Sequence, residues 1–172
     1  MPLARSASSA RFEAALTLSS PEATSAFAAA LAPLLAAGDA LLLEGPIGAG
    51  KTHFARALIL ARLDAAGTPR EDIPSPTFTL VQTYRAGALE IWHADLYRLG
   101  SPAEAMELGL DEAFATALTL VEWPERLGPL APEGALRLAL APDAAEEARR
   151  LSLSGRAEWA GRLTALRNRF DG

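Results

Sequence analysis

The segment Gly45-Pro46-Ile47-Gly48-Ala49-Gly50-Lys51-Thr52 fits the pattern G-x-x-x-x-G-K-T. Residues of these types at this spacing suit one task, the grip of a nucleoside triphosphate and its magnesium. Glycines let the backbone approach phosphate closely and aim several N–H groups inward. A helix beginning near Gly50 adds its positive N-terminal end. Lys51 can reach the β- and γ-phosphates, and the Thr52 hydroxyl can coordinate Mg²⁺. His53 follows, and its backbone N–H can reach the α-phosphate. The expected nucleotide-binding set is therefore Gly45, Gly48, Ala49, Gly50, Lys51, Thr52 and His53. Composition adds weight: of sixteen basic residues only Lys51 is a lysine, and the rest are arginine. Codon bias explains the arginines. It does not explain why the one lysine stands where a compact ammonium is wanted.

Such a loop needs an acid at a strand end to help hold Mg²⁺, and hydrolysis needs a group to orient water. Asp95 follows the apolar-patterned Leu89 to Ala94, and Glu122 follows Leu118 to Val121. Either acid could hold the metal or orient the water. Each also fits an ordinary polar loop residue. His93 reads as a base, a ligand or a structural histidine, and one histidine makes no metal site. Trp92 and Trp123 read as core or interface anchors. Ser75-Pro76-Thr77 reads as a loop that senses the γ-phosphate, or as a simple strand start.

These residues need a frame. Phe12 to Leu18 reads as an opening strand. Ser19-Ser20-Pro21-Glu22 is a helix start, and Gly38 the stop of that helix. Ala40 to Leu43 is a short buried strand leading into the loop, and His53 to Leu63 continues as a helix that Gly67-Thr68-Pro69 breaks. Thr77 to Tyr84 reads as a strand, Arg85-Ala86-Gly87 as a turn, and Ala88 to Ala94 as the hairpin partner. Ser101-Pro102-Ala103-Glu104 predicts a helix start with Glu104 completing a capping box. Leu136 to Leu140 and Leu151 to Leu153 predict a last hairpin, and a helix over Glu158 to Phe170 closes the chain. The expected fold is α/β: a single three-layer P-loop NTPase domain over residues 1–172, with a mixed, largely parallel sheet and short hairpins. Residues 1–10 read as a frayed terminus, since no apolar stretch follows Arg5 to make a signal peptide.

Composition excludes other classes. With no cysteine, disulfides, thiolate zinc sites and cysteine nucleophiles are out, which fits a cytoplasmic protein. No apolar run is long enough for a membrane helix, so no membrane partner is expected. The formal charge is −5 and the arginines are scattered. Contact with tRNA or other nucleic acid is expected to be weak or indirect.

Four blocks occur in order: the loop Gly45 to Thr52, then Ser75-Pro76-Thr77-Phe78-Thr79-Leu80-Val81, then His93-Ala94-Asp95-Leu96-Tyr97-Arg98-Leu99, then Val121-Glu122-Trp123-Pro124-Glu125. Their order and separations resemble the TsaE (YjeE) family, the bacterial ATPase of tRNA threonylcarbamoyladenosine biosynthesis, over about Leu18 to Arg156. The resemblance implies ATP and Mg²⁺ as cofactors. It implies as partners a threonylcarbamoyl transferase and its pseudo-enzyme partner (TsaD and TsaB type), a complex that ATP turnover resets between modifications of the adenosine next to the anticodon. It implies a low basal ATPase activity that partners raise. By matching motif, Lys51 and Thr52 would bind phosphate and Mg²⁺, and Glu122 would be a magnesium ligand or water-orienting acid. Asp95 would be essential for hydrolysis, and Thr77 would belong to a nucleotide-sensitive loop. Two positions depart from the pattern: Pro46 stands where many members carry an acid, and His53 where a second threonine is common. Neither removes a phosphate-binding group. Adenine contacts would lie near Ser19 and the strand around Arg150.

Rival readings have weaker support. A small-molecule kinase of the P-loop class needs an arginine-bearing lid, and Gly67 to Asp72 holds only Arg70. A GTPase commonly uses Asn-Lys-x-Asp, which a chain with Lys51 as its one lysine cannot contain. A non-enzymatic, nucleotide-gated interaction module merges with the ATPase reading if turnover is slow without partners.

Overall fold

The computed structural model describes residues 11–171, so the expected fraying of residues 1–10 lies outside the described residues. Strand β1 (Arg11–Leu18) turns Phe12, Leu16 and Leu18 inward. Ser20 caps α1 (Pro21–Leu31), its hydroxyl accepting from the Ala23 N–H at 3.1 Å. The helix ends well before Gly38. Pro33 has no N–H to continue the ladder, so one 3₁₀ turn over Ala32–Leu34 finishes it. Gly38, at φ 90°, instead turns the chain into β2 (Ala40–Glu44). The glycine-bearing segment Gly45 to Gly50 follows, then α2 (Lys51–Ala65), which buries Phe54, Leu58, Ile59 and Leu63.

Strand β3 (Val81–Ala86) starts later than its β-branched sequence predicts. Thr77 to Leu80 form a turn, with the Leu80 N–H donating to the Pro76 carbonyl at 2.7 Å. The hairpin to β4 (Leu89–Asp95) turns on Gly87-Ala88 alone, with Arg85 and Ala86 still in the strand. Helices α3 (Pro102–Glu107) and α4 (Leu110–Thr116) come next. The expected capping box is not formed. The Ser101 side chain makes no cap bond, and Glu104 accepts from the Gly100 N–H at 3.1 Å. Strand β5 (Leu118–Glu122) leads into 3₁₀ turns over Pro124–Leu130, and β6 (Leu136–Pro142), β7 (Arg149–Arg156) and α5 (Glu158–Phe170) complete the described chain.

The sheet order is β1-β7-β6-β2-β5-β4-β3. Its centre, β6-β2-β5-β4, is parallel. The expectation of a largely parallel sheet holds only there. Both flanks are antiparallel, because hairpins close them and β1 adds to β7. The period of two along β2 splits the core. Leu41 and Leu43 join the cluster under α1, α2 and α5, while Ala40 and Leu42 join the cluster under α3 and α4. Helices thus cover both faces, giving three layers. The parallel centre brings β2, β4 and β5 to a common carboxyl end, where ligands of open α/β sheets gather.

Candidate functional site

The loop after β2 is shaped by its glycines. Gly45 sits at φ 141°, and a Cβ there would clash with the Leu140 carbonyl of β6. Gly48 and Gly50 have φ of 79° and 101°, and Gly50 is the N-cap of α2. These are conformations that glycine adopts without strain. The Lys51 ammonium donates to the Gly45 carbonyl and, at 3.1 Å, to that of Pro46. It also lies 3.8 Å from the Trp123 ring centroid. Burial pushes the Lys51 ammonium below its ordinary pKa, and Glu122, Glu125 and Asp95 pull it partly back. A cation short of solvation beside backbone N–H groups gains from an anionic partner.

The two acids face this loop. In the β4–β5 register Asp95 stands directly beside Glu122. The Thr52 hydroxyl donates to the Glu122 carboxylate, 2.8 Å from Oε1 and 3.0 Å from Oε2. On the other side His93 Nε2 lies 2.7 Å from Glu122 Oε2, both side chains buried. His93 Nδ1 is buried without a partner. A bare ring nitrogen is the cheaper atom to leave so, which assigns the proton to Nε2 as donor to Glu122. Asp95 is tied differently. Its Oδ2 accepts from the Thr77 hydroxyl at 3.3 Å, and its Oδ1 from the Tyr97 N–H at 3.0 Å.

Gly48 to Thr52, Thr77, Asp95 and Glu122 line a cleft of about 410 Å³ with Ser75, Tyr97 and Trp123. Hydroxyl and carboxylate oxygens from Thr52 and Glu122 suit a hard divalent cation that completes its shell with phosphate oxygens and water. Among the described residues no cluster of three or more His, Cys, Asp or Glu could hold a metal by itself. His53 lines the cleft, but its imidazole turns to α1, 2.8 Å from Ser25 Oγ and 3.0 Å from the Pro21 carbonyl. Only its backbone is left to serve a phosphate.

A family model described as "Threonylcarbamoyl adenosine biosynthesis protein TsaE" matches residues 18–151. The chain belongs to the TsaE family. The tRNA threonylcarbamoyladenosine biosynthesis protein TsaE of Rickettsia bellii is 45% identical over 115 residues, which span 67% of this chain and 77% of that protein. The protein of the same name from Rickettsia conorii is 47% identical over 109 residues, which span 63% of this chain but only 60% of that protein. The crystal structure of Bacillus subtilis YdiB superposes with a TM-score of 0.70 at 28% identity, covering 95% of this chain and 99% of that one.

In this TsaE-family chain Gly48 to His53, Ser75, Thr77, Asp95 and Glu122, all singled out from sequence, line one cleft, and Gly45 shapes the loop that carries the first of them. Trp123, read from sequence as a core or interface anchor, lies in the cleft under Lys51. Its position directly after the strand-end acid was the available signal. Trp92 does act as an anchor, packed on the second core with its Nε1 donating to Glu90 at 2.8 Å. His93 is the buried support of Glu122, which its place two residues before Asp95 on β4 foreshadows. Arg149 reaches the loop from β7, and nothing in its sequence neighbourhood signals that. A separate cleft of about 170 Å³ beside Gly50, lined by Pro21, Thr24, His53, Glu147 and Arg149, lies near the positions expected for adenine contacts. Among the described residues no helix is long and apolar enough to cross a membrane.

Proposed function

We propose that the protein is a Mg²⁺-dependent ATPase with a P-loop NTPase fold that serves tRNA threonylcarbamoyladenosine formation. One observation carries the reading: Thr52 of the loop and Glu122 of the neighbouring strand share a hydrogen bond at 2.8 Å, with Asp95 alongside in register. A hydroxyl and an acid so paired are the protein's half of a magnesium site in P-loop enzymes. Thr52 and Glu122 would hold Mg²⁺, whose chemistry is to neutralise charge on the phosphate oxygens. Lys51 and the loop N–H groups bind the phosphates. Asp95 accepts a hydrogen bond from water and orients it toward the γ-phosphorus; the water oxygen bonds to phosphorus as the bond to the ADP oxygen breaks, and the water's proton passes to the released phosphate. His93 keeps Glu122 in place.

Family membership supports the place of this activity in tRNA modification. Turnover would reset a complex of the threonylcarbamoyl transferase and its pseudo-enzyme partner. Ile47, at 77% exposure, and the half-exposed Tyr97 line the cleft, and Phe78, at 79%, directly follows Thr77 of its lining. Exposed apolar side chains gathered at one edge support docking of a protein there. The test is phosphate release from ATP and Mg²⁺, by the protein alone and with the transferase pair, with Lys51→Ala as blank. Slow release that rises with the partners is expected. Indifference to them, with rapid transfer to a metabolite, would move the function to a small-molecule kinase.

A further inference from the structure

We infer that Arg149 is a positioning residue for the phosphate loop, an inference that rests on the ATP-binding reading above. Arg149 opens β7, paired with Leu18 of β1 on one side and Pro142 of β6 on the other. Its guanidinium reaches across to the loop. Nε donates to the Ala49 carbonyl at 3.2 Å and Nη2 to the Gly48 carbonyl at 3.4 Å. Nη1 donates to the carbonyls of Glu146 and Ala148 at 3.0 and 2.9 Å, which fixes the fork to its own hairpin. Among the described residues Arg149 makes no ion pair; its donors go to backbone carbonyls.

The consequence follows from peptide geometry. In a trans peptide the C=O and the following N–H point opposite ways. Holding the Ala49 carbonyl outward turns the Gly50 N–H away from Arg149, toward the cleft. The segment needs such a hold. Gly48 and Gly50 flank Ala49, and added Cβ atoms at either would meet nothing within 4 Å. Glycines in open space can rotate their peptides at little cost. The Ala49 N–H is itself held by the Pro46 carbonyl at 3.1 Å. Arg149 supplies the complementary hold on the outer side, and it does so with a rigid fork that lysine lacks. It therefore selects, before ATP arrives, the peptide orientation that phosphate requires.

The test compares wild type with Arg149→Ala and Arg149→Lys in ATP·Mg²⁺ titration calorimetry, steady-state hydrolysis and thermal melting, at low and high salt. The Ala variant is expected to weaken ATP binding about tenfold, as the loss of a preorganising hydrogen-bonded contact does. KM should rise while kcat is largely kept. Lys should restore less than half of the affinity, and the defect should persist at high salt. Full rescue by Lys, or a defect that vanishes with salt, would mean a point charge and overturn the inference. So would wild-type affinity in the Ala variant, or a lowered melting temperature with unchanged affinity. If wild type and Lys51→Ala bind ATP equally poorly, the ATP reading itself falls.

Discussion

The cleft has two walls that reach unusual backbone conformations by different means. On the loop wall the left-handed positions are glycines: Gly45, Gly48 and Gly50. On the acid wall they are Leu80 at φ 67° and Trp123 at φ 58°, and among the described residues no other non-glycine has positive φ. Such a residue costs about 1–3 kcal/mol to hold. Both strained residues touch the acids through the backbone. The Leu80 carbonyl accepts from the Asp95 N–H at 2.9 Å, and Trp123 directly follows Glu122, whose carbonyl accepts from the Leu96 N–H at 3.1 Å. The loop wall is built of glycines, which take these angles without strain. The acid wall is held at a cost, so its geometry is what a ligand or partner can bias. Binding should therefore depend on the first wall and turnover on the second.

The sharpest way to break this division is to alter one wall and read both quantities. Glu122→Gln and Asp95→Asn keep shape and remove charge. Each should lower turnover by about 10²–10⁴-fold, the range for losing a positioned acid–base or metal-binding group. ATP affinity should change by less than about tenfold, measured by titration. Wild-type turnover in either variant would remove that residue from the site. Lys51→Ala should do the reverse, costing about 2–5 kcal/mol of binding, or about 30-fold or more in Kd. Unchanged ATP binding in that variant would end the assignment of Gly45 to Thr52 as a phosphate grip.

The two walls also differed in how far the sequence revealed them. The loop is local: strand, glycines, lysine and helix follow one another within Ala40–Ala65, so spacing alone conveys its chemistry. The acid wall is assembled from β3, β4 and β5, and its register is set by pairing that no single segment encodes. Thr77 to Leu80 carries strong strand propensity, yet the Thr77 hydroxyl bonds to Asp95 and Leu80 closes a turn. Tertiary contacts overrode propensity there. Leucine and tryptophan are poor signals for left-handed backbone, so neither strained position could be read in advance. Arg149 lies a hundred residues from Ala49. Only the sheet order, which places β7 beside β6, brings it near.

The smallest effects test the strain itself. Gly45→Ala places a Cβ against the Leu140 carbonyl at a backbone angle that side chains rarely adopt. It should lower stability by about 3 kcal/mol in urea denaturation. Leu80→Gly should behave differently. It releases about 1–2 kcal/mol of left-handed strain. Against that stand about 0.5–1 kcal/mol of added chain entropy in the unfolded state and about 1 kcal/mol for the apolar contact of a partly buried leucine. The terms nearly cancel, so stability should stay within about 1 kcal/mol of wild type, with an unchanged denaturant slope. Turnover should nonetheless fall more than affinity, because glycine keeps the carbonyl that accepts from the Asp95 N–H but loosens the backbone that aims it. If Leu80→Gly costs as much as Gly45→Ala, then position 80 is valued for packing and not held under strain. The energetic difference between the walls would then disappear, and the acid wall would be as preformed as the loop.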